Sequence, residues 1–525
     1  MGVNSGFKLT YSTMFNPPPE LHQRFDAAVA EFRSRDMGHM HGQWIGGADA
    51  LGGPTFDVRS PIDHEWLIGR FAQGSAQDVD RAVHAARAAF PAWAATPWRD
   101  RVALLRRAAR LIEERVYAIS AAVSLEVGKN RMESIGEVQE TADLIDWYCE
   151  QMESNEGFDR ALPDDPLPNF RSHNRTVLRP YGAWAVIAPF NFPVALAGGP
   201  IGPALVAGNT VVFKVAPETS LSGRLLLEVL RDAGLPPGVI NFVTGGDATG
   251  RALAEHPQVA GITFTGSHAV GMQVLRHAVQ GPNAKPCITE MGGKNATIVS
   301  RHADLDRAAL GLVRSAFGLS GQKCSACSRV YVERPVAPAL RERLVRLTGE
   351  IAIGDPTVQA NWMGPVIDRS AYERYARLVE HLRKVGQIDA GGEWLTEGAL
   401  AHGLFVAPTL ARAPLDDEAW VDEHFLPVLL IGEVDSVDEG IARANASAYG
   451  LSAGFYGTPE EVLHFHEHIE AGVTYANRPQ GATTGAWPGY QPFGGWKGSG
   501  STGKAIGSFY YLPQYLREQS RTVVE

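Results

Sequence analysis

Cysteine is scarce. Four occur in 525 residues, which excludes a disulfide-stapled scaffold and points to a reducing, cytosolic compartment. Basic runs are missing too: the formal charge of -10 is spread along the chain, so nucleic acid is not an expected partner. The longest apolar runs are too short to span a bilayer. The start, MGVNSGFKLTYSTMF, has no basic patch followed by an apolar stretch, so no secretory leader is expected. It opens Met-Gly, but Gly6 stands where a myristoylation signal wants Ser or Thr. No internal repeat or low-complexity tract is found.

What is present is a globular composition, 45% hydrophobic, 20% charged and 9% aromatic. The length calls for two or three domains. Two of the four cysteines, Cys324 and Cys327, share the run GQKCSACSR, residues 321–329. A structural zinc site needs four ligands, usually as two close pairs. Cys149 and Cys287 are isolated and no second Cys-x-x-Cys exists, so no metal is expected. A thioredoxin-like dithiol is disfavoured because the run lies deep inside a large chain.

Along the chain, 77–91, 98–125 and 129–155 read as helices, the first two amphipathic. The Pro-broken, polar stretch 161–180 reads as a loop or as strands standing off the body. From 181, short β-branched runs alternate with helices (183–188, 210–215, 239–243 and 262–265 as strands), the pattern of a parallel sheet. Such sheets bind nucleotides at the carboxyl ends of their strands, where helix N-termini offer N–H groups. A second alternation runs from about 295 to 475. The run GSGSTG, 498–503, formally matches the dinucleotide pattern and, with Lys504, nearly a phosphate loop. No apolar strand leads into it and Ala505 replaces the magnesium-holding hydroxyl, so neither role is expected.

Four short stretches fit together: PFNFP at 189–193, FTGS at 264–267, EMGGK at 290–294 and FGLSGQKC at 317–324. Together they resemble the NAD(P)-dependent aldehyde dehydrogenase superfamily. The resemblance continues through GDP at 354–356, DEHFLPV at 422–428, the run 445–451 and PFGG at 492–495, covering about 55 to 515. It implies an α/β fold of two parallel-sheet, Rossmann-type domains plus a small strand excursion for oligomerisation. The expected NAD-binding domain is 30–157 with 180–290, the catalytic domain 291–490, and the oligomerisation segments 158–179 and 500–525.

The chemistry makes sense of the residues. A free aldehyde has no ready leaving group, and a thiolate adding to it gives a thiohemiacetal that can release hydride. By resemblance Cys324 is that nucleophile, Asn191 with the nucleophile's own N–H stabilises the oxyanion, and Glu290 activates water against the thioester. Cys327 is expected to be a bystander. The family's NAD contacts carry over onto Lys214, Gly245, Ser267, Glu423 and Phe425. Where the family often has Glu three residues after the lysine, this chain has Pro217, with Glu218 one place on. A carboxylate there favours NAD over NADP.

Ser325 after the nucleophile, and the small Gly485-Ala486 before PFGG, resemble the L-glutamate γ-semialdehyde (1-pyrroline-5-carboxylate) dehydrogenases of proline breakdown. That resemblance implies Ser325, Gly485 and Ala486 around an α-carboxylate, with Phe192 and Phe493 walling the aliphatic middle. The rivals are succinic semialdehyde or a generic aldehyde as substrate, with Arg314 and Arg478 as carboxylate ligands, and a catalytically silent homologue. Tyr510, Tyr511 and Tyr515 are expected to form an exposed patch that pairs subunits into at least a homodimer.

Overall fold

The computed structural model describes residues 9, 13–14, 17–166, 168–482 and 487–525. Among the described residues, two seven-stranded sheets organise the chain, with smaller sheets of three, three and two strands beside them. In the first large sheet, Cys287–Glu290, Gly261–Thr265, Ala183–Ile187, Thr210–Lys214 and Ile240–Val243 lie side by side and parallel. The hairpin Gln43–Ile45 and Ala48–Ala50 extends it antiparallel. The three inner strands are buried on both faces, apart from half-buried Thr265 at one strand end, as their continuous Val, Ile and Phe runs require. Strand order reverses beside Ala183–Ile187: the chain goes one way to 210–243 and the other to 261–290. A crevice is therefore expected outside the carboxyl ends of Ala183–Ile187 and Gly261–Thr265.

The second sheet runs Gln387–Ala390, Thr409–Arg412, Val428–Val434, Cys327–Glu333, Asn295–Val299, Ser452–Tyr456 and Val473–Ala476, parallel except at its first strand. The third sheet pairs Asp159–Leu162 with Ser172–Pro180, and Ser172–Pro180 with Leu516–Val524.

The helical reading of 98–125 needs amending. It is two helices, Trp98–Glu114 and Val116–Val127, broken at Arg115. The second is not amphipathic, since every residue from Ile119 to Val127 is buried. Arg131–Ser154 is likewise mostly buried, its start capped by the Asn130 side chain accepting from Glu133 N at 3.0 Å.

The expected exposed tyrosine patch is corrected. Tyr511 and Tyr515 are 1% and 0% exposed within their own chain, and only Tyr510 and Phe509 face outward. Tyr515 O–H bonds with Thr263 Oγ1 at 3.0 Å and donates to Tyr511 O–H at 3.1 Å, while Tyr511 stacks on Tyr148. Asn209 Nδ2 donates to the Tyr515 carbonyl at 2.9 Å. Burying a large apolar side chain stabilises by about 1.5–3 kcal/mol before ordering costs. An apolar stretch must be covered, and here the first sheet covers it.

Candidate active site

The crevice expected from the strand order is there. A cleft of about 420 Å³ opens at the strand ends, lined among others by Asn191, Ser267, Cys324, Glu423 and Phe425. Five candidates from distant stretches thus meet. Phe425 lies edge-on to Phe190 at 5.8 Å. A Cβ at Gly292 would overlap the Glu423 carboxylate and displace it.

Cys324 follows a strained turn. Leu319, Ser320 and Gly321 all have left-handed φ values, 48°, 54° and 67°, costly for the two non-glycines. Surrounding contacts hold the turn: Ser320 Oγ donates to Gly364 O at 2.7 Å, and Gln322 Oε1 accepts from Ile367 N at 2.9 Å. Asn295 Nδ2 fixes the far side, donating to the carbonyls of Cys324 at 2.6 Å and Ala326 at 2.9 Å. Burial, then the charges of Glu423 and Glu290, push the Cys324 thiol up to about 12, opposed by the N–H groups of Ser325 and Cys324. Cys327 is core: its sulfur lies 3.2 Å from Thr297 Oγ1 and 3.5 Å from Arg329 O. Among the described residues no cluster of His, Cys, Asp and Glu is placed to hold a metal ion.

Asn191 is 3% exposed, and its Nδ2 donates to Gln322 O at 3.0 Å, beside the nucleophile. Glu290 ends the strand Cys287–Glu290 and is buried; Gly495 N donates to its Oε2 at 2.9 Å. Burial pushes its carboxyl up to about 8. The GSGSTG run has a job here. Gly500 bridges Glu290 antiparallel, Met291 N donates to Ser499 O at 2.8 Å, and Ser501 N to Thr289 O at 3.1 Å. The glycine-rich run braces the strand that carries Glu290.

After the strand Ile240–Val243 of the same sheet, Gly245 sits at φ 137°, where a Cβ would strike Thr249. The helix Asp247–Glu255 then begins without a side-chain cap, which leaves its first N–H groups for an anion. Ser267 caps His268–Ala278. Lys214 is buried; burial lowers its pKa, while Glu218 and Asp247 raise it. Glu218 itself lines a separate pocket of about 270 Å³ with Glu126, Asp368 and Arg369. Burial, opposed mainly by the Gly293 N–H at 2.8 Å, pushes Glu423 up to about 7.

On the substrate side, Ser325 is 1% exposed, does not line the described cleft, and its hydroxyl has no hydrogen-bond partner among the described residues. Phe192 and Phe493 are buried, 3% and 5% exposed, and neither lines the described cleft. Gly485 and Ala486 lie outside the described residues. Arg314 Nη1 donates to Pro479 O at 3.2 Å and Arg478 Nη1 to Gln491 Oε1 at 2.9 Å.

Two cleft residues escape sequence reasoning. Arg374 lines the cleft from the helix Arg369–Val385 and donates to His424 O at 2.9 Å; in sequence it is one Arg among several on an amphipathic helix. His424 lines the cleft too, and burial first, then Lys294, push its imidazole down to about 3.

The Aldehyde dehydrogenase family model matches residues 48–520. A 1-pyrroline-5-carboxylate dehydrogenase of Geobacillus thermodenitrificans (strain NG80-2) is 36% identical over 511 residues, 96% of each chain. The structure of 1-pyrroline-5-carboxylate dehydrogenase from Thermus with bound NAD superposes with a TM-score of 0.91 at 32% identity, covering 100% of both chains. Proline utilization A of Bdellovibrio bacteriovorus gives a TM-score of 0.89 at 33% identity; 95% of this chain is covered but only 51% of that one, so the chain spans about half its length. A family model that covers most of the chain, and relatives similar from end to end, establish that this protein belongs to the aldehyde dehydrogenase family.

Proposed function

We propose that the protein oxidises L-glutamate γ-semialdehyde, the open form of 1-pyrroline-5-carboxylate, to L-glutamate with NAD as acceptor. One observation carries the substrate choice: the buried hydroxyl of Ser325, without a hydrogen-bond partner among the described residues and next to the nucleophile in sequence. An unsatisfied buried hydroxyl costs about 1–3 kcal/mol, and a substrate carboxylate oxygen would accept from it. The names borne by the Geobacillus and Thermus relatives point the same way.

In this reading Cys324 adds to the aldehyde carbon, and the new oxyanion takes hydrogen bonds from Asn191 Nδ2 and the Cys324 N–H. Glu290, held by Gly495 N, removes a proton from the water that hydrolyses the thioester on Cys324. The cleft fits a dinucleotide: uncapped N–H groups open the helix Asp247–Glu255, and Ser267, Glu423 and Phe425 line the way to Cys324. Bound NAD supplies the hydride acceptor. The Asp247 carboxylate near Lys214 disfavours a 2′-phosphate, hence NAD rather than NADP. The sheet of residues 43–290 would be the NAD-binding unit and that of 295–476 the catalytic one.

Succinic semialdehyde is the second reading, and it would call on Arg314 and Arg478. Both already hydrogen-bond to neighbours. Steady-state kinetics should give a kcat/KM for 1-pyrroline-5-carboxylate at least about tenfold above that for succinic semialdehyde. Ser325→Ala should raise KM for the former about tenfold or more, as expected for a hydrogen bond to a charged group, and leave pentanal oxidation little changed. A preference for succinic semialdehyde would overturn the assignment.

The working unit in this reading is a homodimer in the cytosol. All four cysteines are free thiols, and no helix among the described residues is long and apolar enough to cross a membrane. Leu516–Val524 is a nine-residue edge strand with only Leu516 buried, and Val523 and Val524 are 60% and 50% exposed. Such an edge leaves a row of backbone N–H and C=O groups unpaired, and a second copy would cover it. Light scattering should give at least twice the 56.7 kDa chain mass; a monomer at micromolar concentration would sink the dimer.

A further inference from the structure

Lys129 and Glu137 form an ion pair with no solvent exposure on either side chain, Nζ to Oε2 at 2.5 Å. Such a pair rarely adds net stability over apolar packing, so its presence needs another account. Its neighbours supply one. The other carboxylate oxygen, Oε1, accepts from Val194 N at 2.8 Å and Ala195 N at 3.2 Å. These amides open the helix Ala195–Ala207, whose own N-cap residue offers no side-chain cap. On its other side the Lys129 ammonium lies 3.6 Å from the centroid of the Phe192 ring, close enough for a cation–π contact. The pair therefore grips residues 192 to 195 at two points, immediately after Asn191.

Lys129 is itself held. Its carbonyl accepts from Ser124 Oγ at 2.5 Å and Ser134 Oγ at 3.4 Å. One turn before Glu137, on the same helix Arg131–Ser154, Glu133 pairs with Lys323, the residue preceding Cys324. One helix thus holds the segment of the amide donor through one buried ion pair, and the nucleophile's loop through another.

We infer that Lys129 is a positioning residue: through Glu137 and the Phe192 ring it sets the place of the Asn191 amide relative to Cys324. The inference rests on the proposed role of Asn191 as oxyanion donor. Removing Lys129 alone would leave a buried carboxylate without its partner and destabilise the protein, so the test neutralises both partners at nearly constant volume. Lys129→Met/Glu137→Gln should lower kcat about tenfold, the scale on which small misplacements act. KM for NAD should stay within about twofold and Tm close to wild type. In an Asn191→Ala background the same pair should change kcat by less than about twofold, because the group it positions is gone. Lys129→Gln/Glu137→Gln, which leaves no buried charge and keeps an acceptor oxygen for Val194 and Ala195, should behave the same way if the Met variant does not fold. Equal losses in both backgrounds, or no loss in either, overturn the inference. Failure of the underlying reading looks different: Asn191→Ala would then keep wild-type turnover. Running the cycle with both 1-pyrroline-5-carboxylate and pentanal keeps it independent of the substrate assignment.

Discussion

Cys324→Ala should lose dehydrogenase turnover by at least about four orders of magnitude, as removal of a nucleophile does, while NAD affinity stays within about twofold. The sulfur lies in the cleft wall, whereas the glycine turn at Gly245 and the helix start at Asp247 belong to other elements. Neither Cys327 nor Cys149 can substitute. Cys327 begins the strand Cys327–Glu333, with its sulfur packed on Thr297, and Cys149 is buried with its thiol hydrogen-bonded to Val102 O. Cys327→Ala should cost about 1 kcal/mol of stability, as a small core truncation does, and keep most activity. NADH absorbance and a fluorescence titration with NAD read both effects. An inactive Cys327→Ala beside an active Cys324→Ala would reverse the assignment.

Glu290→Gln should release a burst of NADH approaching one per active site and then turn over slowly, by about a hundredfold or more. The base is needed only once the thioester has formed, so the acyl-enzyme should accumulate. The amide keeps the shape of the carboxylate and can still accept from Gly495 N. The pH dependence follows from burial. With its carboxyl pushed up from 4.5 to about 8, the folded wild-type enzyme holds this proton at neutral pH, and the basic form grows as pH rises through about 8. Turnover should rise with it and flatten above, whereas the variant's slow phase should lack this step. Stability moves the other way. A folded pKa above the unfolded one stabilises fully below 4.5 and is lost as pH rises through about 8. Across that window wild type should lose Tm relative to Glu290→Gln. Stopped-flow absorbance and thermal melts at matched pH decide it. A variant without any burst would mean that Glu290 acts earlier, in taking the proton from a thiol that burial keeps near 12.

Much of this site is legible in the sequence because its parts sit at strand ends. Asn191, Ser267, Glu290 and Cys324 each belong to a short apolar run broken by glycine or proline, and the alternation of strands and helices brings such breaks to one edge of a sheet. The left-handed Leu319 and Ser320 are not legible, since neither residue type advertises that conformation and only packing enforces it. Nor is the brace on Glu290. A glycine-rich run reads as a loop, and pairing with 289–292 is a contact made across more than two hundred residues. Tyr511 and Tyr515 mark the same limit. Three tyrosines in one stretch say that apolar surface must be covered, and the cover proves to be Thr263, Tyr148 and Trp184 of the same chain.

The brace from residues 495–501 and the docked tyrosines also bear on how the protein is made. A ribosome synthesises residues 287–290 long before 495–515, so the outermost parallel strand of the first sheet waits, without its neighbour, for a segment more than two hundred residues further on. During that interval Glu290 has no Gly495 N–H to orient it, and Thr263 no tyrosine to cap it. Nascent chains would carry the proposed nucleophile and base in sequence without the contact that orients the base. A chain cut off before residue 495 would lack both the N–H that orients Glu290 and the tyrosine that covers Thr263.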